Sequence, residues 1–296
     1  STAFTNKAAL VLNGDTIHKV LKINMEGKLD KKYIVKLCKN KKLFIVDEYT
    51  MVTSHLWKLL AEVKRLTGIM FLVIGDYRQL PPIEDEVSFD YLKHSVISYL
   101  CNGKALELTT RQRYNKELWD WLEVKEWDNM ECIDFNYNMI NDFNVTYFNK
   151  TRKKINERFN IYEKNDNSIF CEVDWNDKNM EYKYHQDTYL YEDLPIIANT
   201  TYNKLDLKKN EFYRVTEVTD TTFTFSNDYN TQTIPHSEYH KYFLMGYAFS
   251  VYKSQGETAE GRVNVFDYEY MKQDDRFIYT AVSRGKLLEN IKYVNL

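Results

Sequence analysis

The sequence predicts an α/β protein with two parallel-sheet domains, the second interrupted by a small β-rich insertion. Three observations carry this. Apolar runs of strand length alternate with helical spacing in the first part of the chain, a Thr-, Val-, Phe- and Tyr-rich stretch with turn residues follows at about 190–243, and the alternation then resumes. At 296 residues with 44% hydrophobic content, the chain can supply two cores.

The elements follow in order. "KLFIVDE" reads as a strand, "TSHLWKLLAEVKRL" as a helix and "IMFLVIGD" as a strand again, which is a βαβ pattern. Strands apolar along their whole length fit a sheet covered on both faces. "NKELWDWLEVKEW" has helical spacing, and at least two of Trp119, Trp121 and Trp127 read as core residues rather than as base-stacking platforms. "FNVTYFNKTRKKINERF" is a strand running into a basic helix, whose charges suit a solvated face or a nucleic-acid groove. The stretch "LPIIANTTYNKLDLKKNEFYRVTEVTDTTFTFSND" suggests a small antiparallel barrel. "FLMGYAFSVYKSQG", "RVNVFDYEYM" and "FIYTAVSRGK" return to α/β texture. The first domain is expected over residues 1–108 and the second over 109–296.

Net charge is −3, so any polyanion partner must be held by a local groove rather than by the field of the whole chain. Cys38, Cys101, Cys132 and Cys171 are scattered without a Cys-x-x-Cys pair, which argues for reduced thiols and against a zinc site. No charged-then-apolar leader and no apolar run near the ~20 residues of a membrane span is present, so an intracellular protein without a membrane partner is expected. His236 and His240, four apart after Pro235, read as a surface pair rather than as metal ligands.

Chemistry concentrates where the first two strands end. "FIVDEYTMV" places Asp47 and Glu48 at the end of an apolar strand, and paired acids there suit nucleotide hydrolysis: Asp47 to hold Mg²⁺ through water, Glu48 to orient and deprotonate the attacking water. The next strand runs into "GDYRQLPPI", where Gly75 and Asp76 make a turn, Gln79 is a neutral group able to sense a γ-phosphate, and Pro81-Pro82 stiffen the exit. In parallel sheets, ligands bind beyond the carboxyl ends of the strands.

With "YAFSVYKSQGET" and "YTAVSRGK" added, the set resembles the motifs of superfamily 1 helicases, in order and in character, and most of all the 5′→3′ group B members of the RecD, Dda and PIF kind. "TAFTNKAALVLNGDTIHKVL" resembles that family's motif Ia and "LELTTRQRY" its fourth motif. The resemblance covers nearly the whole chain and implies two RecA-like domains, the second carrying a Src-homology-like barrel at about 190–243. It implies ATP and Mg²⁺ as cofactors, hydrolysis at an interdomain cleft, and coupling to translocation and duplex unwinding. Asp47, Glu48, Gln79, Arg111 and Arg284 would be catalytic, the two arginines reaching the γ-phosphate. Gly75, Asp76, Gly256 and Glu257 would serve the nucleotide. Thr5, Lys7, Thr16, His18, Lys253, Ser254 and Gln255 would hold single-stranded DNA. Single strands, duplex junctions and replication or repair proteins are the implied partners. Ser250, Tyr252 and Tyr77 depart from the commonest family residues; Tyr77 leans toward the PIF and Dda side. Taken alone, Thr16-Ile17-His18 reads as an ordinary helix start with Thr16 as cap, and only the neighbouring motifs reverse that reading.

One family element is not in the sequence. The phosphate-binding loop G-x-x-x-x-G-K-[ST] does not occur, since Gly27-Lys28, Gly103-Lys104 and Gly285-Lys286 are followed by Leu, Ala and Leu. In the family that loop lies just upstream of motif Ia, where this chain begins, so the expectation is a truncated first domain and a chain inactive by itself. The alternatives are a single-strand-binding or scaffold module without a phosphate loop, and a viral-type superfamily 1 RNA helicase, the latter disfavoured by "GDYRQLPP" and "KSQGET".

Overall fold

A computed structural model of the chain describes residues 2–3, 14–24, 26–82, 94–110, 112–178 and 180–296. Two compact units divide it, Ser1–Thr110 and Arg111–Leu296.

The first unit runs β1 (Thr2–Ala3), β2 (Asp15–Thr16), α1 (Ile17–Leu21), α2 (Lys31–Cys38), β3 (Leu43–Asp47), α3 (Ser54–Thr67), β4 (Met70–Val73) and α4 (Ser95–Leu100). The strands form a parallel sheet in the order β2-β1-β3-β4, with Ala3 opposite Asp47 and Val46 opposite Val73. Helix α3 starts where the Thr53 hydroxyl accepts from Leu56 N and stops at Gly68, whose φ of +66° suits a residue without Cβ. Its apolar stripe buries Leu56, Trp57, Leu60 and Val63 against Phe44, Val46 and Phe71 of the sheet. Each such side chain contributes about 1.5–3 kcal/mol of burial.

The opposite face departs from expectation. Leu43, Met70 and Leu72 are 42%, 56% and 44% exposed, so among the described residues the sheet is covered on one face only. Alternation along β3 and β4 sends these side chains away from α3, a fact that a uniformly apolar run conceals.

The second unit begins with α5 (Lys116–Val124), β5 (Cys132–Asp134), β6 (Phe143–Thr146) and α6 (Asn149–Glu163). There follow β7 (Ile169–Cys171), β8 (Thr188–Leu190), β9 (Pro195–Ala198), β10 (Phe212–Val218), β11 (Thr222–Ser226), β12 (Thr231–Pro235), α7 (Tyr239–Tyr242) and β13 (Phe243–Met245). It closes with β14 (Ala248–Ser250), β15 (Val263–Val265), α8 (Tyr268–Met271), α9 (Asp275–Val282) and β16 (Ile291–Asn295). A five-stranded parallel sheet has the order β14-β6-β15-β16-β5. The β-rich stretch is a five-stranded antiparallel sheet, β12-β11-β10-β9-β13, bulged between Val215 and Glu217. No ladder joins β12 to β13, so the strand pairing leaves this sheet open.

The insertion has no separate core. Phe223, Phe225 and Phe243 belong to the same buried cluster as Ile155 and Phe159 of α6 and Phe266 of the parallel-sheet part. Two polar devices fasten α6. Asp267 caps it, accepting from Tyr147 N, Phe148 N and Thr151 Oγ1 at 3.1, 3.0 and 2.7 Å. Asn156, fully buried, accepts from Ala248 N at 2.8 Å and donates to the carbonyls of Met245 and Ala248.

Trp121 and Trp127 pack edge to face at 4.9 Å and are 7% and 6% exposed, whereas Trp119 is half-buried. The expected surface histidine pair is corrected: His240 is buried, its Nε2 bonded to the Cys171 carbonyl at 3.1 Å, and His236 bonds the Thr222 carbonyl at 2.8 Å. The turn into α7 points His240 at strand β7, a long-range contact that local spacing does not encode. All four cysteines are free thiols. No described helix is long and apolar enough to cross a membrane.

Candidate nucleotide and strand site

Parallel pairing of β3 and β4 brings two acidic turns side by side at the carboxyl end of the first sheet. Asp47 ends β3 and accepts the Glu48 N–H on Oδ1 at 2.9 Å. Glu48 has φ +50° and ψ +49°, a left-handed conformation that costs a non-glycine residue roughly 1 kcal/mol. That conformation turns the chain sharply, and Glu48 Oε2 is shielded from solvent.

The second turn is bonded to the first. Ile74 N donates to Val46 O at 2.8 Å, and Tyr49 N donates to Ile74 O at 3.1 Å. Gly75 follows, so close to Tyr49 that an added Cβ would lie 2.6 Å from Tyr49 Cδ1. Tyr49 is half-buried, and its phenol is pushed up to about 12 by burial, with the Asp76 charge adding to it. Asp76 takes a two-point contact from Arg78, Nε to Oδ1 at 3.0 Å and Nη2 to Oδ2 at 3.1 Å. Gln79 is buried, its N–H bonded to Asp76 O, and its Oε1 has no hydrogen-bond partner among the described residues. A buried orphan acceptor beside two acidic turns fits a site completed by a ligand.

In the second unit a 3-10 turn, Val251–Ser254, follows β14. Ser254 is fully buried with its hydroxyl on the Val251 carbonyl at 2.7 Å, and Gln255 is 6% exposed. Gly256 adopts φ +79°, and the Glu257 N–H donates to Ser254 O at 3.0 Å. Arg284, just beyond α9, is 1% exposed. Its guanidinium donates to the Thr280 carbonyl at 3.0 Å, the Ser283 hydroxyl at 2.9 Å and the Glu257 carbonyl at 3.3 Å, while its own carbonyl accepts from Ala259 N at 2.9 Å. Arg284 thus braces the loop that carries Gly256 and Glu257.

Lys253 is half-buried, but its Nζ is closed off and has no hydrogen-bond partner among the described residues. Burial, with help from Arg152 and Lys209, lowers its ammonium to about 7. Arg152 on α6 is 2% exposed and donates to Asn149 Oδ1 and the Tyr184 carbonyl. Burial lowers it to about 10.

Thr16 caps α1, its hydroxyl accepting from Lys19 N at 3.4 Å, and His18 is exposed in the first turn. Thr5, Lys7 and Arg111 lie outside the described residues. Thus Asp47, Glu48, Gly75, Asp76 and Gln79 come together in the first unit, and Lys253 to Glu257 come together with Arg284 in the second.

Two residues escaped sequence reading. Tyr49 looks like an ordinary loop aromatic, although its place directly after the acidic pair was a signal. Arg152 was hidden in a basic run, yet Arg152, Asn156 and Asn160 recur every four residues beside Ile155 and Phe159, which marks a polar stripe on a buried helix face.

These two units define an α/β protein built from RecA-like parallel-sheet domains. Similarity narrows the class. Residues 1–128 match the AAA domain family. The ATP-dependent DNA helicase RRM3 of Saccharomyces cerevisiae is 29% identical over 137 residues, covering 39% of this chain and 19% of that protein. The ATP-dependent DNA helicase PIF1 of Candida albicans is 32% identical over 107 residues, covering 30% of this chain and 12% of that protein. The chain therefore spans less than a fifth of the length of these relatives. Among solved structures, Bacteroides Pif1 bound to ssDNA superposes with a TM-score of 0.69 at 16% identity over 99% of this chain and 81% of that one. The Candida albicans Pif1 helicase gives 0.65 at 17% over 100% and 84%. The chain is thus similar in sequence to ATP-dependent DNA helicases of the PIF1 and RRM3 kind and in fold to Pif1 helicases.

Proposed function

We propose that the chain carries the hydrolytic and strand-holding residues of an ATP-dependent DNA helicase that moves 5′ to 3′ along single-stranded DNA and acts at duplex junctions. The observation that carries this is the bonding of the Asp47-Glu48 turn to the Gly75-Asp76 turn at the carboxyl ends of adjacent parallel strands, with the orphaned Gln79 Oε1 beside them. The relatives named ATP-dependent DNA helicases support it, as do similar folds solved with ssDNA and with ADP-AlF3.

Bound Mg²⁺ would neutralise the charge of the nucleotide phosphates. The donor set fits such an ion. No cluster of three or more metal-ligating side chains occurs among the described residues, and Mg²⁺ commonly takes one or two carboxylates and completes its shell with water and phosphate oxygens. Asp47 would hold it through water. Glu48 would orient the attacking water and take its proton as the γ-phosphorus–oxygen bond breaks. Gln79 would report the nucleotide state, with Gly75 and Asp76 shaping the turn. Arg111 and Arg284 would meet the γ-phosphate charge. Arg284 must then exchange one of its internal bonds for the ligand, and its hold on the Glu257 carbonyl gives it a direct link to the strand-holding loop. Thr5, Lys7, Thr16 and His18 on one unit, and Lys253, Ser254 and Gln255 on the other, would hold strand phosphates.

The test is ATP hydrolysis with and without oligo-dT, with Glu48→Gln as the blank. Strand-stimulated turnover that vanishes in the variant supports the motor. The 296 residues carry no G-x-x-x-x-G-K-[ST] string, so the expected turnover of this chain by itself is low. Activity that returns when a phosphate-loop segment is joined ahead of residue 1 supports the motor as well. Strand binding with no turnover even then supports the second reading, a single-strand-binding module.

A further inference from the structure

We propose that a crevice of the second unit, beyond the carboxyl ends of β6 and β15, binds a free mononucleotide, with its phosphate on Lys150 and Lys154 and its base on the exposed ring of Tyr270. The site does not depend on the function proposed above. Strand order sets its place. The chain leaves β6 through α6 and the insertion to reach β14 on one side, and leaves β15 through α8 and α9 to reach β16 on the other. Where neighbouring parallel strands send their connections in opposite directions, a crevice opens beyond their carboxyl ends, and open α/β sheets take ligands there. A crevice of about 470 Å³ lies at that point, lined by the first turns of α6, the residues after β15 and the end of β16. That volume suits a ligand of nucleotide size.

The charges there select an anion. Asp267 is already answered by the three donors that it caps at the start of α6, so those donors are closed to a ligand. Glu269 pairs with Lys272 at 2.9 Å. Lys150 and Lys154, both exposed on α6, have no carboxylate partner among the described residues; Lys150 Nζ lies instead 5.0 Å from the Phe148 ring centroid. Residues four apart share one helix face, so the two ammonium groups can close on one phosphate. A terminal phosphate carries a charge of about −1.5 to −2 near pH 7 and matches the pair. An internal phosphodiester of a strand, with a single charge, does not.

The remaining wall is aromatic. Tyr268 and Tyr293 pack with ring centroids 4.8 Å apart, and their hydroxyls are taken up by Asp128 at 3.2 Å and Asn295 at 3.0 Å. Tyr270 is 53% exposed, meets Phe148 edge to face at 4.7 Å and has Tyr147 stacked on it at 6.3 Å. A ring steadied in this way leaves one face to a planar base. Stacking on an aromatic side chain tolerates every base, so ring size rather than base identity should set the preference, purine before pyrimidine.

Isothermal titration of the whole chain with AMP, UMP and inorganic phosphate tests this. AMP should bind more tightly than UMP, and both more tightly than inorganic phosphate. Lys150→Gln and Lys154→Gln should each weaken AMP about threefold. Tyr270→Ala should weaken AMP roughly tenfold and leave inorganic phosphate unmoved, a split that a general disturbance of the fold would not produce. All three side chains are exposed, so the variants are expected to fold, and circular dichroism checks it. No AMP binding by the wild type, or AMP binding that ignores all three variants, overturns the site. AMP held no more tightly than inorganic phosphate overturns the nucleotide as its ligand. An oligo-dT with a 5′-hydroxyl end that displaces AMP, and itself weakens in the same three variants, overturns the free mononucleotide in favour of a strand. Each of these results leaves the Glu48→Gln comparison untouched, so the hydrolytic reading stands or falls by its own test.

Discussion

The Tyr49 N–H donates to the Ile74 carbonyl at 3.1 Å, and through this bond the turn bearing Asp47 and Glu48 is held to the turn bearing Gly75 and Asp76. Turns 28 positions apart in sequence, at Asp47 and Gly75, are thereby joined into one shelf.

Gly75→Ala should break that shelf. The new Cβ would meet Tyr49 Cδ1 at 2.6 Å and Tyr49 N at 3.0 Å, one of them backbone, so relief requires moving the chain. A loss of about 1–3 kcal/mol is expected from chemical denaturation. Gly256→Ala, with φ +79° but nothing within 4 Å, should lose only about 1 kcal/mol. Equal losses would show that the contact with Tyr49 is unimportant.

Arg284→Gln should destabilise the second unit by about 2–4 kcal/mol, since it strands the carbonyls of Thr280 and Glu257 and the Ser283 hydroxyl in a buried place. Arg284→Lys keeps the charge but not the fork and should recover only part of the loss. A melting temperature unchanged in both would remove the bracing role.

Asn156→Ala leaves the Ala248 N–H and two carbonyls without their side-chain partner. About 2–4 kcal/mol should disappear. Hydrogen exchange at Ala248 should quicken with it; unaltered protection there would contradict the stitching of α6 to β14.

Acid should weaken the second unit before any carboxylate titrates. His185 and His240 are both held below the usual histidine range, chiefly by burial. Their folded pKa values being depressed, the stability they contribute is complete above about pH 6.5, the unfolded value, and is lost as pH falls through the folded values. Thermal unfolding between pH 5 and 8 should slope downward on the acid side, and His240→Gln should flatten that slope. An unchanged slope would mean that other groups govern it.

Much of this was legible locally. The apolar runs ending in Asp47 and Asp76, the α3 stripe, and the strand-to-helix step from Phe143 onward are written in short-range periodicity, because a strand or helix face repeats every two or about 3.6 residues. The β-rich texture at about 190–243 was equally plain. Its sharing of a core with α6 was not, since Phe225 and Phe159 join one buried cluster only through the chain's long return.

The sequence by itself determined the α/β class, the two acidic turns and the family resemblance, all properties of neighbouring residues. Only the tertiary structure decided that Leu43, Met70 and Leu72 face outward, that His240 is buried, that Arg284 braces the Glu257 loop and that Lys253 Nζ is closed off without a hydrogen-bond partner among the described residues. The reason is physical: a polar group's protonation and contacts depend on desolvation and on partners distant in sequence, and neither quantity is carried by the residues next to it.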